Sequence, residues 1–538
     1  MDREYKPEGP PGLFGKLKCD LLASVVVFLV ALPLCMGVAI ASGVPADKAA
    51  ALGIISGIVG GLVVGLLAGC PLQVTGPAAG LVVIVGQLIS ERGFEALGAI
   101  IVVAGVAQIL AGLIGVGQWF RAVSPAVIQG MLAGIGVLIL ASQFHVMVDD
   151  IPPGSGKEFG GIINLSTIPE AVWKGVTEEK HQAAAMVGLL TIIAIIVWSA
   201  FVPKRLKFFP APLFGVLLGA ALARSLGLEL QYISVPDNLA DSLTLPTVSF
   251  WERFLDWSII AAGLGMAFVA SAESLLTATA ADAMQQHAPR TKYGRELVAQ
   301  GVGNLTCGLL GALPVTGVIV RTGANIQMGA RTRGASMLHG FWLLVFAALF
   351  PFVLRLIPVA SLAAILVYTG YKLVSAKAIK ALLAYGKGEV AVYGATLVTI
   401  VVLDLLTGIL VGVGLAIIKL LYTFSHLRVR LVVDDGRTVL YLQGAATFIR
   451  LPKLAAALEK VMPNTELHVH FEELTYIDHA CLDLLMNWEK QHEATGGSLV
   501  IDWDGLMAKF QGPKEAVAIR KRDPHAAGQN GDGYVPPP

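Results

Sequence analysis

Two short stretches carry residues whose types and spacing could do chemistry. One is Gly69-Cys-Pro-Leu-Gln-Val-Thr-Gly-Pro77 and the other is Gly311-Ala-Leu-Pro-Val-Thr-Gly-Val318. Both place Val-Thr-Gly at the start of a short apolar segment. Gly76, Pro77, Gly311, Pro314 and Gly317 disfavour continuous helix, so each stretch is expected to unwind and then open a half-helix. The first N–H groups of a helix lack intrahelical partners and carry its positive dipole end. Two such ends brought together would hold an anion with few charged side chains. The candidate anion-binding residues are Gln73, Thr75, Gly76, Val315, Thr316 and Gly317, with the threonine hydroxyls placed to cap the half-helices or touch the ligand. Arg321, about one turn past Thr316, would add a fixed positive charge. The alternative is a pair of packing kinks.

A second constellation lies in Ala-Glu273-Ser-Leu-Leu-Thr277. Residues four apart share a helix face. A carboxylate plus a hydroxyl is a hard-oxygen set that could hold a cation such as Na+, and the carboxylate alone could carry a proton. Glu273 and Arg321 could instead neutralise each other as a structural pair. Asp404 reads as a residue that orders helix ends. Cys19, Cys35, Cys70, Cys307 and Cys481 lack metal spacing and read as small core residues. His468, His470 and His479 lack it too.

The elements that must position these residues follow from composition. The chain has 538 residues, of which 55% are hydrophobic and 14% charged. Soluble domains carry about 25% charged residues. An ordinary soluble enzyme, a disordered chain and a nucleic-acid binder are thereby excluded. The net charge of +1 offers no field for a polyanion. Charge is concentrated in residues 428–538, which hold 27 charged side chains. The reading is a cytoplasmic N-terminal segment over 1–19, a transmembrane domain over 20–427, a small soluble domain over 428–512 and a disordered tail over 513–538. The polar, proline-containing N-terminus does not read as a cleavable signal.

Fourteen apolar segments are expected, with cores at 21–43, 47–68, 76–90, 96–117, 124–142, 183–202, 210–226, 258–281, 296–312, 317–329, 336–354, 358–374, 389–407 and 409–426. With the N-terminus inside, Arg121, Lys204, Arg205, Lys207, Arg290, Lys292, Arg295, Arg331, Arg333, Lys377 and Lys380 all fall on the cytoplasmic side, as positive residues prefer. The loop 143–182, with six acidic and three basic residues, falls outside. Each Val-Thr-Gly stretch opens the third segment of a seven-segment half. Seven is odd, so the halves are inverted, and interrupted segments at matching positions of inverted halves point to a transport site. Beyond 427 the periodicity changes. Val429–Val433 and Val439–Leu442 read as a hairpin, Leu451–Val461 as a helix, Glu466–Phe471 as a strand, Cys481–Lys490 as a helix and Ser498–Trp503 as a strand.

Five motifs in order resemble the SulP family of anion permeases. They are Asp20-Leu-Leu-Ala leading to Ala31-Leu-Pro33, Gln73-Val-Thr-Gly-Pro-Ala-Ala-Gly80, Pro314-Val-Thr-Gly-Val-Ile-Val-Arg-Thr-Gly-Ala-Asn-Ile326 with Gly329-Ala-Arg-Thr-Arg333, Asp404-Leu-Leu-Thr-Gly-Ile-Leu-Val-Gly412, and a STAS-like stretch over 428–510. The resemblance implies a seven-plus-seven inverted repeat like that of the uracil permeases, a core moving against a gate, and a homodimer. It implies a cargo of sulfate, bicarbonate, chloride or carboxylate. Glu273-Ser-Leu-Leu-Thr277 is similar to the Asp-Ser-Leu-Leu-Thr with which cyanobacterial sodium-dependent bicarbonate carriers bind sodium; with Glu in place of Asp, protons stay open. Arg321 resembles an arginine of the sulfate-transporting and animal branches. The first helix resembles a bacterial branch associated with carbonic anhydrase, which favours bicarbonate. Where STAS domains often carry Asp-Ser-Ser-Gly, this chain has Asp478-His-Ala-Cys481, with no hydroxyl to phosphorylate.

The expected protein is therefore a secondary anion transporter of the bacterial inner membrane with both termini cytoplasmic. Bicarbonate coupled to Na+ or H+ leads; sulfate or carboxylate proton symport, or exchange, is the alternative. No cofactor beyond a bound Na+ is implied. Expected partners are the small inorganic anion, the bilayer, a second copy of the chain, and a cytoplasmic protein such as carbonic anhydrase or a STAS-docking protein. An anion channel, a voltage-driven motor and a nucleobase permease are the competing classes. No constellation for catalysis is present.

Overall fold

The computed structural model describes residues 13–118, 124–154, 157, 159–203, 209–424, 426–434, 437–471 and 473–501. Arg121, Lys204, Arg205, Lys207 and the tail expected over 513–538 lie outside the described residues. The chain divides into two compact units, residues 1–416 and 417–538.

Every expected apolar segment is a helix or half-helix, and the unit boundary falls inside the last of them. The first half has α1 (Leu13–Ala41), α2 (Ala46–Val59), α3 (Val82–Arg92), α4 (Phe94–Leu113), α5 (Pro125–Met147), α6 (Glu179–Phe201) and α7 (Ala211–Ser225). The second has α8 (Trp257–Met284), α9 (Tyr293–Leu309), α10 (Ile319–Gln327), α11 (Gly334–Leu349), α12 (Val359–Leu373), α13 (Lys387–Val402) and α14 (Leu405–Phe424). Among the described residues, eight helices are long and apolar enough to cross a membrane, and α7 and α11 are shorter apolar helices. The short α3 and α10 follow β1 (Thr75–Gly76) and β2 (Thr316–Gly317). These pair antiparallel, Thr75 with Gly317 and Gly76 with Thr316. The two repeated motifs therefore meet each other.

Small residues let the surrounding helices close on this crossing. Gly98, Gly105 and Gly112 of α4 face Gly308, Gly301 and Gly294 of α9. A Cβ on them would lie 2.9, 2.7 and 2.7 Å from the facing glycine carbonyls. The heptad spacing runs in opposite directions on the two helices, so they pack backbone to backbone. Between α2 and β1 the chain makes a π-helical turn over Gly60–Val64, and a Cβ on Gly60 would collide with the Thr75 carbonyl. Asp404 orders a helix end, as expected: its Oδ1 accepts from Thr407 N at 2.9 Å and its Oδ2 from Thr407 Oγ1 at 2.6 Å. The loop between α5 and α6 holds two helices the sequence reading omitted, Gly160–Ser166 and Ile168–Thr177. Lys174 pairs there with Asp150 at 2.9 Å. Burial pushes the Asp150 carboxyl up, but the hydrogen bonds from Lys174 and the Ile151 N–H, with the Lys174 charge, outweigh it and hold the carboxyl below its usual range.

The second unit is a small α/β domain: β3 (Leu427–Asp434), β4 (Arg437–Ala446), α15 (Leu451–Leu458), β5 (Glu466–His470), β6 (Leu474–Ile477), α16 (His479–Ala494) and β7 (Ser498–Val500). The order is β3-β4-β5-β7, with β6 also on β4. The hairpin β3–β4 is antiparallel and the other pairings are parallel. The four-residue β6 escaped the sequence reading because it is too short to show alternation. Leu440, Leu454, Leu467, Cys481 and Leu485 are in its core.

Candidate functional site

A cavity with about 40 Å3 of water-accessible space sits beside the crossing. Pro77, Ala79 and Gly80 line it from the start of the first half-helix, and Val318, Ile319, Val320 and Arg321 from the start of the second. Glu273 joins them from α8. The facing wall is apolar apart from Thr369: Leu34 and Val38 of α1, Leu132 and Ile135 of α5, and Thr369 and Leu373 of α12. Both half-helix N-termini thus open on one space, where their unpaired N–H groups attract negative charge.

Arg321 is fully buried. Its Nη2 donates to the Pro77 carbonyl at 3.2 Å; the guanidinium also lies against the Cys35 thiol, and Nε and Nη1 complete no hydrogen bond of good geometry. A Cβ on Gly76 would collide with Nη1, so the guanidinium lies directly on the Gly76 backbone. Glu273 lies against Gly80, where a Cβ would be 2.5 Å from Oε1. The Gly80 N–H and the Thr316 hydroxyl face this carboxyl, while Oε2 completes no hydrogen bond of good geometry. Glu273 and Arg321 line the same cavity but form no ion pair among the described residues, so the purely structural pairing is not what the fold makes. A buried charge without a partner is costly, and an anion would relieve that cost at Arg321.

The remaining candidate residues build the crossing rather than the cavity wall. Neither half-helix has a side-chain cap, which corrects the capping role considered for Thr75 and Thr316. The Thr75 hydroxyl accepts from Gln300 Nε2 at 2.8 Å. Thr316 is buried, and its hydroxyl faces the Glu273 carboxyl without completing a hydrogen bond of good geometry. Gln73 lies on Gly317, where a Cβ would collide with its amide, and neither amide atom is partnered. Thr277 donates to the Gly317 carbonyl at 3.0 Å, and Ser274 accepts from Gly317 N at 3.2 Å. Thr277 therefore ties α8 to β2. Its oxygen, the Gly317 carbonyl and Glu273 are hard donors suited to a monovalent cation. No group of three His, Cys, Asp or Glu gathers anywhere among the described residues.

The sequence reading missed the face of α9. Glu296, Gln300 and Asn304 are all fully buried. Glu296 Oε2 accepts from Gly69 N and Cys70 N, each at 2.8 Å. Gln300 Nε2 donates to Glu296 Oε1 at 2.8 Å as well as to Thr75. Asn304 accepts from Val315 N at 2.7 Å, and donates to Val315 O at 3.0 Å and to Gln108 Oε1 at 2.7 Å. The signal was available as polar residues at i, i+4 and i+8 in an otherwise apolar segment. Asp20 opens the first of the five motifs. It accepts from the backbone of Arg331 at 2.7 Å and of Thr332 at 3.0 Å, and from the Thr332 hydroxyl, joining the first helix to the turn after α10.

In the second unit Asp478 caps α16, accepting from Cys481 N at 2.9 Å and from Phe448 N. Burial and the adjacent Asp478 push the Cys481 thiol up to about 12.

Comparison with known proteins agrees with this architecture. Residues 17–396 match the sulfate permease family, and residues 429–504 match the family described as Mlab, STAS domain. The chain is similar to the putative sulfate transporter YvdB of Bacillus subtilis, 29% identical over 76% of this chain and 75% of that one. It is also similar to the bicarbonate transporter BicA of Picosynechococcus, 27% identical over 77% of this chain and 72% of that one. Among solved structures, the transmembrane domain of a cyanobacterial BicA aligns with a TM-score of 0.62 at 24% identity, over 74% of this chain and 98% of that domain. SLC26A9 aligns with a TM-score of 0.68 at 15% identity, over 91% of this chain and 84% of that one. These likenesses show the fold. The chain belongs to the sulfate permease family, whose members are membrane transporters, and it carries a STAS domain after its helical region.

Proposed function

We propose that the protein is a secondary transporter that carries bicarbonate, with cation movement coupled through Glu273. One observation carries the reading: two half-helix N-termini, a buried arginine and a carboxylate, both with hydrogen-bonding atoms left incompletely satisfied, all meet at one small cavity. The donors attract a small oxyanion through charge-assisted hydrogen bonds. Bicarbonate is small and monovalent, which suits the size of the cavity. An ionised Glu273 opposes an anion beside it. A proton on Glu273, or a Na+ held by Glu273 and Thr277, removes that opposition, so cation and anion favour each other's binding. The apolar facing wall offers an anion little to hold, which suits a surface that slides past the site.

A second reading is proton symport or exchange of sulfate or a carboxylate. Arg321 favours it, because a fixed positive charge helps most with a divalent anion. The wider proposal places the protein in the bacterial inner membrane as a homodimer, with both termini and the STAS domain in the cytoplasm. The test is uptake of labelled bicarbonate into proteoliposomes under an imposed Na+ gradient, with and without excess sulfate. Sodium-dependent uptake that ignores sulfate is the expected result. No bicarbonate uptake and no response to sodium would turn the assignment to the second reading.

A further inference from the structure

We infer that Gln300 is a positioning residue for anion binding: it acts through Thr75, within a ladder on α9 that holds both broken segments at a fixed separation. The inference rests on the function proposed above. Glu296, Gln300 and Asn304 are spaced i, i+4 and i+8, so they lie along one helix face at intervals of about 6 Å. All three are fully buried. Glu296 grips Gly69 N and Cys70 N, where the first broken segment begins. Asn304 grips both backbone groups of Val315, just before the second crossing strand. Gln300 lies between them, bonded to Glu296 and Thr75.

The chemistry of this middle rung favours one arrangement, in which Gln300 Oε1 is left buried without a partner. An amide nitrogen has two hydrogens, and here each finds an acceptor. Turning the amide over would set its oxygen against Glu296 Oε1, two acceptors face to face when the carboxyl is ionised. An ionised Glu296 thereby fixes Gln300 as the donor to Thr75, and Thr75 keeps its own proton to donate elsewhere. The anion site depends on two helix ends from opposite halves of the chain. Their spacing is set where Thr75 pairs with Gly317, and among the described residues α9 is the one helix whose side chains hold backbone or hydroxyl groups of both stretches by hydrogen bonds at Gly69, Cys70, Thr75 and Val315.

The experiment uses the full chain in proteoliposomes, with labelled bicarbonate and labelled sulfate as the probes. Gln300→Met keeps the volume and removes the donor, and Gln300→Glu keeps the reach and puts an acceptor there. Each is expected to raise KM about fivefold, in line with losing one buried hydrogen bond, with Vmax within about twofold of the parent. Thr75→Val is expected to raise KM similarly, and Q300M combined with T75V to be no worse than T75V alone. Additive effects, or a fall in Vmax with KM unchanged, overturn the proposal, since simple packing damage behaves that way. Hydrogen exchange on the purified proteins without added anion is the independent arm. Faster exchange over residues 69–76 in either Gln300 variant, with the STAS strands unchanged, supports the ladder. Unchanged exchange over 69–76 overturns it. Loss of protection there, in a parent that moves neither anion, supports the ladder and refutes the transporter reading.

Discussion

The Arg321 guanidinium lies on the backbone of Gly76, on the face that any larger residue at 76 would fill. The two residues come from opposite halves of the chain, and the contact sets the cation where the first half-helix begins. Gly76→Ala must therefore push the guanidinium off its seat. The expected outcome is a protein that folds and reaches the membrane but takes up anion at least tenfold less well at low concentration. Uptake kinetics against membrane-inserted amount check it. Gly60→Ala is the contrast. Its methyl meets the Thr75 carbonyl, which is backbone, so the expected loss is of folded protein.

Arg321→Lys is expected to behave almost like Arg321→Ala. The guanidinium gives Nη2 to the Pro77 carbonyl and keeps Nε and Nη1 for a ligand. A lysine offers one compact ammonium and cannot do both with the same geometry. A rise in KM of about tenfold or more is expected for both variants, read from concentration-dependent uptake. A lysine variant with parental KM would show that only the charge matters.

Glu273→Gln removes the charge that opposes the anion and the site for the cation together. The expected phenotype is a split. Accumulation driven by an imposed Na+ or H+ gradient disappears, while exchange of labelled for unlabelled anion across the membrane persists. Parallel gradient-driven and exchange assays on one proteoliposome preparation separate the two. Gradient-driven accumulation that survives would remove Glu273 from coupling.

Asn304→Leu strands the N–H and carbonyl of Val315 and leaves Gln108 Oε1 without its donor. Unsatisfied buried groups cost about 1–3 kcal/mol each. A lower thermal transition of the purified protein is expected, by an amount exceeding that of any single exposed substitution on the lipid face.

The Cys481 thiol offers a pH test outside the membrane. Its folded value of about 12 lies above the ordinary 9.0. The neutral thiol is therefore favoured by the fold, and that stabilisation is complete below pH 9. It is lost as pH climbs from 9 toward 12. The STAS domain should weaken over that window, and Cys481→Ala should flatten the loss. In the native protein at pH 8 the thiol should resist alkylation, because the reactive thiolate is scarce and buried.

Much of this was legible in the sequence. The fourteen segments follow from apolar length, and the meeting of the two Val-Thr-Gly stretches follows from their matching places in inverted halves. What stayed hidden was relational. Glu296, Gln300 and Asn304 look like polar interruptions until Gly69, Thr75 and Val315 are seen to need partners. The glycines of α4 and α9 look like ordinary membrane composition until their heptads are laid antiparallel. Thr75 and Thr316 look like caps because threonine often caps helices, yet the half-helices begin several residues later at the first and three residues later at the second. Asp20 and Thr332 are far apart in the chain and close only in the fold.

The hold of Glu296 on Gly69 and Cys70 also has a consequence for biogenesis. The two sites are 227 and 226 residues apart. At ~5–20 residues per second of synthesis, the first broken segment is made roughly ten to forty-five seconds before the side chain that satisfies it exists. During that interval its amides must be shielded by water, by the insertion machinery or by a transient neighbour. The first half of the chain therefore cannot reach its final form in the bilayer as it emerges. Maturation waits for α9, and a ribosome stalled between α3 and α9 would leave a half-protein that quality-control proteases can recognise.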